Sequence, residues 1–194
     1  MTSRERILKL VKENQPSLRE LPVLFPTWEN EQPLTALFST VLTTIGGTVV
    51  PVNDMAEVAA YISTTYGNKG RIISTLPELA GVTESGWEDK DPHTYENVDL
   101  AIIKAHFGVA ENAALWITEE LMHQRAVPFI CQQLAVVVSA KTLVPTMHQA
   151  YELIGEAEYG FGTFIAGPSK TADIEQSLVL GAHGPKSMIA FLLP

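Results

Sequence analysis

The chain has 194 residues, 46% of them apolar and 18% charged, with a net charge of −9 at neutral pH. That length holds one substantial α/β domain and falls short of two. The acid excess excludes a binder of nucleic-acid backbones, which needs clustered Lys and Arg to displace counterions. It leaves room for an anionic small molecule held by one local cation or one helix start.

Residues 3–14 mix charges with Ile7, Leu8, Leu10 and Val11 at helical spacing. They predict an N-terminal helix that packs on the body or on a partner. No apolar h-region follows Met1–Arg6, so no signal peptide is expected. No apolar run approaches the roughly 20 residues that span a bilayer. Pro16, Pro22, Pro26 and Pro33 mark an irregular connector, so residues 1–32 read as helix plus connector and 33–194 as the α/β domain.

Pro33 suits a helix first turn. Leu34, Leu37, Phe38, Val41, Leu42 and Ile45 continue at helical spacing, and Gly46-Gly47 ends that helix. A strand over 48–52, a helix carrying Met55, Val58, Ala59 and Ile62, and a strand over 71–74 follow as a parallel βαβ arrangement. Residues 81–97 are polar and read as a surface loop. Strands are expected over 99–105, 113–118, 128–139, 160–166 and 188–193, and helices over 144–154 and 171–180. The fold class is α/β: a single three-layer domain with a mostly parallel, mixed sheet, because the strand-rich middle lacks helical crossovers.

Several familiar signatures fail. Ser169 stands where a Walker A loop before Lys170-Thr171 needs Gly, and Thr171 occupies the second glycine position of a nucleophile elbow on Ser169. A dinucleotide fingerprint starting at Gly160 meets Ile165 at its third glycine. The five histidines and Cys131 show no metal-ligand spacing, so no metal site is proposed. One cysteine also cannot supply the four thiolates of an iron–sulfur cluster, and it suits a reducing cytoplasm.

Three constellations remain. Gly167-Pro168-Ser169-Lys170-Thr171-Ala172-Asp173-Ile174-Glu175 follows an apolar strand. It is either a capped helix start, with Asp173 and Glu175 on the dipole, or an oxyanion cradle using Ser169, Thr171 and Lys170. Gly181-Ala182-His183-Gly184-Pro185 is either a glycine-capped helix end or a loop presenting the His183 imidazole. A right-handed crossover helix between these loops would carry them to opposite sheet edges. The third, Lys104 to Asn112, turns at Gly108. It offers Lys104 as a cation and Glu111 as base or nucleophile, or is a solvated edge turn.

The stretches Phe164–Glu175 and Gly181–Lys186 closely resemble the C-terminal signature of the lactate-utilization protein C family, the LUD-domain proteins. That pattern runs G-P-S-x-T-x-D-I-E, a short helix, then G-x-H-G-P, and every position is filled. Asp99–Ile102 and Ala110-Glu111-Asn112 resemble the family's central strand and its A-E-T-G-T turn more loosely, with Asn112, Ala113 and Ala114 in place of T-G-T. The resemblance implies a NagB/RpiA/CoA-transferase-like fold and a role in oxidising L-lactate to pyruvate beside iron–sulfur partner proteins. It implies no cluster on this chain; other cofactors and the oligomeric state stay open. Under that reading Gly167, Ser169, Lys170, Thr171, Asp173, Glu175 and Lys104 hold an anionic ligand, with Glu111 and His183 as candidate catalytic groups. The alternatives are a CoA- or acyl-handling enzyme with Glu111 as nucleophile, or a non-catalytic binding or regulatory module.

Overall fold

The computed structural model describes residues 1–20, 32–67, 70–171 and 179–194. In chain order these form α1 (Ser3–Glu13), α2 (Leu34–Thr44), β1 (Thr48–Pro51), α3 (Met55–Thr65), β2 (Ile72–Ser74), β3 (Leu100–Lys104), β4 (Phe107–Val109) and β5 (Leu115–Thr118). There follow α4 (Glu119–Met122), α5 (Val127–Ile130), β6 (Gln133–Ser139), β7 (Leu143–Val144), α6 (Met147–Ile154), β8 (Gly162–Ile165), β9 (Lys170–Thr171), β10 (Val179–Leu180) and β11 (Ser187–Leu193).

Five strands make a wholly parallel sheet in the order β1-β11-β6-β3-β2. Its three central strands are near-continuous apolar runs because both faces are covered. Leu100 and Ile102 of β3, Ala135 and Val137 of β6, and Ile189 and Phe191 of β11 face one side, against Val58 and Ile62 of α3. Their neighbours Ala101, Ile103, Leu134, Val136, Val138, Met188, Ala190 and Leu192 face the other, against Phe38 and Leu42 of α2. Such a period-two split lets each strand contribute to two cores at once. Each fully buried aliphatic side chain there contributes about 1.5–3 kcal/mol.

The mixed character expected of the sheet is divided between two sheets. A second, four-stranded one runs β7-β4-β5-β8 and contains both parallel and antiparallel pairs. It is built from the connections of the first: β4 and β5 leave β3 before the chain returns as β6, and β7 and β8 lie between β6 and β11. Leu115, Ile117 and Leu143 of this sheet point into the core shared with α2. On its outer face Phe107, Val109 and Trp116 form a third core with Ala150 of α6. Strand-rich connections without a long helix therefore add a layer instead of widening the main sheet.

Three local expectations change. Residues 81–97 are not a detached polar loop, because Trp87 and Tyr95 are both fully buried and meet edge to face at 5.8 Å. The Tyr95 hydroxyl lies 2.9 Å from the carbonyls of both Trp87 and Lys90, which share it as donor. The strand expected over 128–139 begins only at Gln133; Val127–Ile130 is a single helical turn with Pro128 in its first positions, where a missing N–H costs nothing. The helix expected over 171–180 fails at both ends: Lys170–Thr171 and Val179–Leu180 are strands paired antiparallel, Thr171 with Val179 and Lys170 with Leu180. Residues 172–178 between them lie outside the described residues.

Candidate functional site

That antiparallel pair decides how the two C-terminal motifs meet. Ser169 N donates to Pro185 O at 2.9 Å, and Gly181 N donates to Ser169 O at 3.0 Å. Lys186 N donates to Gln132 O at 2.8 Å, tying the second motif to the start of β6. Gly167–Thr171 and Gly181–Lys186 are thus laced into one junction at the amino ends of β11 and β6, and are not carried to opposite edges. The antiparallel pairing of β9 with β10 sets the two motifs side by side.

The junction is packed at its glycines. Gly167 has φ +72°, and a Cβ there would stand 3.0 Å from Ile45 Cγ1; a Cβ on Gly184 would stand 3.1 Å from Ser169 Cβ. Gly181, at φ +76°, has no room for a Cβ beside the Lys186 side chain. Much of the motif is therefore backbone geometry and close packing. The helix-start cradle expected at Ser169–Thr171 is absent: these residues are extended, and the Ser169 N–H is already engaged. What remains for a ligand is side chains. Lys170 is exposed, Ser169 is half-buried, and neither Lys170 nor Lys186 has an ion-pair partner among the described residues. His183 is exposed. Asp173 and Glu175 lie outside the described residues.

The other candidates fall elsewhere. Lys104 ends β3 at the carboxyl edge of the parallel sheet, exposed, and does not join the C-terminal junction. Glu111 Oε1 accepts the Met147 N–H at 2.6 Å. Its carboxylate thereby caps the first turn of α6, whose leading N–H groups have no partner inside the helix. That engagement argues against a free nucleophile and for the structural half of the sequence reading. Arg71, at the opposite end of the chemistry, is a closed hub: Nε and Nη2 reach the two oxygens of Glu84 at 2.7 and 3.1 Å, and Nη1 donates to Asn97 Oδ1 and Thr94 O. Four of its five N–H donors serve the fold and Glu84 pairs its charge, which leaves little for an anion.

Sequence reading passed over one cleft, of about 400 Å³, beside β4 and β5. Phe107, Trp116, Leu153 and Ile154 give it apolar walls, and His106, Thr118, Glu120 and Glu158 supply polar groups. His106 Nε2 lies 2.7 Å from the Thr118 hydroxyl. Burial of the ring pulls the His106 pKa below its ordinary value, against the Glu120 charge, so the imidazole is neutral at neutral pH. No Lys or Arg lines this cleft, so it suits a cation and not a carboxylate. Its wall is made by the pairing of Phe107 with Trp116 across β4 and β5, a contact that no local pattern signals. Among the described residues no group of three or more His, Cys, Asp or Glu could hold a metal ion, and no helix is long and apolar enough to cross a membrane.

A parallel α/β sheet with a second mixed sheet in its crossovers, closed by the laced G-P-S and G-A-H-G-P loops, defines the class that the sequence resemblance pointed to. The chain belongs to the LUD-domain family: the family's profile matches residues 35–193. Lactate utilization protein C of Bacillus pumilus is 33% identical over 110 residues, 50% of this chain and 46% of that relative. The protein of the same name from Bacillus licheniformis is 26% identical over 130 residues, 62% of this chain and 54% of that relative. The chain thus spans about half the length of the curated relatives it matches. A crystal structure of a DUF162 family protein from Deinococcus radiodurans superposes with a TM-score of 0.64 at 16% identity, covering 83% of this chain and 96% of that one. At that identity the likeness establishes a shared fold.

Proposed function

We propose that this chain serves in lactate utilization as a component that holds a small carboxylate anion and works beside iron–sulfur partner proteins. The observation that carries the reading is the LUD-domain match across residues 35–193 together with relatives named for lactate utilization. The laced junction supports the anionic ligand: its main-chain bonds hold the segment that carries half-buried Ser169 and exposed Lys170 against the segment that ends at exposed Lys186. An ammonium on a short rigid ladder can meet a carboxylate in water-accessible surroundings, where charge-assisted hydrogen bonds set orientation.

Calorimetric titration of L-lactate and pyruvate into the chain, alone and with its iron–sulfur partners, tests this. Heat of binding that disappears in Lys170→Ala is the expected result. No heat under either condition would sink the reading.

A further inference from the structure

Among the described residues two surfaces lack a partner. The first is α1. It is a complete helix: Thr2 and Glu5 form a capping box, and the Asn14 side chain closes the other end on Leu10 O at 2.8 Å. Yet none of its residues is buried, and Ile7, Leu8, Leu10 and Val11 are 51–58% exposed. At 100° per residue these four share one stripe. Lys9 pairs with Glu13, and Glu5 with the chain's amino group. Arg4, Arg6 and Lys12 have no ion-pair partner among the described residues, and Arg6 and Lys12 flank the stripe on either side. A lone helix of 11 residues is marginal in water; a capped one with a bare apolar stripe is built to dock.

The second surface has the opposite charge. At the end of α6, Tyr151 is 63% exposed, Leu153 60% and Tyr159 38%. Leu153 and Tyr159 line the cleft of about 400 Å³ walled by Phe107, Trp116 and Ile154, and Tyr151 stands on the same helix as Leu153. Glu120, Glu152, Glu156 and Glu158 stand in or beside it, all exposed and without an ion-pair partner among the described residues.

We infer that α1 of one copy lays its apolar stripe in the α6 cleft of a second copy, Arg6 and Lys12 meeting the glutamates, and that the exchange is reciprocal. Charge and apolarity match in both directions, and α1 stands clear of its own body. A two-fold exchange leaves no complementary patch open. Two docked helices also double the covered area toward the roughly 1,200 Å² of a specific interface.

Sedimentation equilibrium of the full chain tests this with charge-reversed variants, Arg6→Glu/Lys12→Glu and Glu156→Lys/Glu158→Lys, all at exposed positions. Wild type is expected at twice the monomer mass and each variant at the monomer mass, with unchanged far-UV circular dichroism. An equimolar mixture of the two variants is expected to regain the doubled mass, because each reversed arm then meets a reversed cleft. A monomeric wild type, a variant that stays dimeric, or a mixture that stays monomeric overturns the inference. Wild-type monomers that bind phosphatidylserine vesicles would assign α1 to a lipid surface instead, and overturn it equally.

Discussion

Gly167→Ala separates what the conserved-looking motif does for the fold from what it does for a ligand. At φ +72° an L-residue pays roughly 1–2 kcal/mol. The new methyl would also stand 3.0 and 3.1 Å from Ile45 Cγ1 and Cδ1, tight enough to push a half-buried side chain and add about 1 kcal/mol or more. Reduced freedom of the unfolded chain returns about 0.4–1 kcal/mol. The net loss is about 2 kcal/mol, a fall of about 1–2 M in the urea midpoint of a protein this size. Gly81→Ala is the control: nothing lies within 4 Å of its added Cβ, so its effect stays within about 0.5 kcal/mol. Lys170→Ala is the converse. Its side chain is exposed and has no ion-pair partner among the described residues, so it leaves the midpoint in place while removing the heat of lactate binding. A wild-type midpoint for Gly167→Ala would refute the account of the junction as packed backbone; undiminished lactate binding by Lys170→Ala would refute its use as an anion site.

Glu111→Ala removes the carboxylate that caps α6 and is expected to cost about 0.5–2 kcal/mol, whereas Glu111→Gln keeps an acceptor and costs less; equal losses, measured by urea unfolding, would mean the charge matters and the hydrogen bond does not. The Arg71 guanidinium, with Lys90 beside it, holds the Glu84 carboxyl below its ordinary value. A depressed carboxyl stabilises fully above its unfolded-state pKa and loses that contribution as pH falls through its folded value. Arg71→Met should therefore destabilise at neutral pH by about 1.5–3 kcal/mol and flatten the stability loss between about pH 5 and pH 3; a wild-type acid limb in the variant would refute this. Burial pushes the Cys131 thiol up to about 12, so the native chain should react with Ellman's reagent only as fast as it unfolds, and rapid labelling without unfolding would contradict the burial.

Where the sequence carries a strong local period, it foretells the structure. Ile7–Val11, Leu34–Thr44 and Met55–Ile62 fall on helices, and Leu100–Lys104, Leu134–Val138 and Met188–Leu193 on strands, because an apolar stripe on a helix or two apolar faces on a strand leave a mark in residue spacing. The errors cluster where contacts are non-local. Thr171–Leu180 has residues that suit a helix, but Thr171 pairs with Val179 and Lys170 with Leu180, while the flanking Ser169, Gly181 and Lys186 donate to Pro185, Ser169 and Gln132. Trp87 and Tyr95 sit in a polar stretch whose acids and single proline, Pro92, hide two core residues.

The periodicity of apolar residues determined the fold class and the two C-terminal motifs the LUD-domain family, since those are properties of residue types and short spacings. Tertiary structure alone decided that Gly167–Thr171 and Gly181–Lys186 meet in one junction, that Glu111 caps α6, and that the basic arm and the acidic cleft are both left bare. Each of those depends on segments distant in the chain being held side by side by main-chain hydrogen bonds and shared cores, which no local pattern encodes.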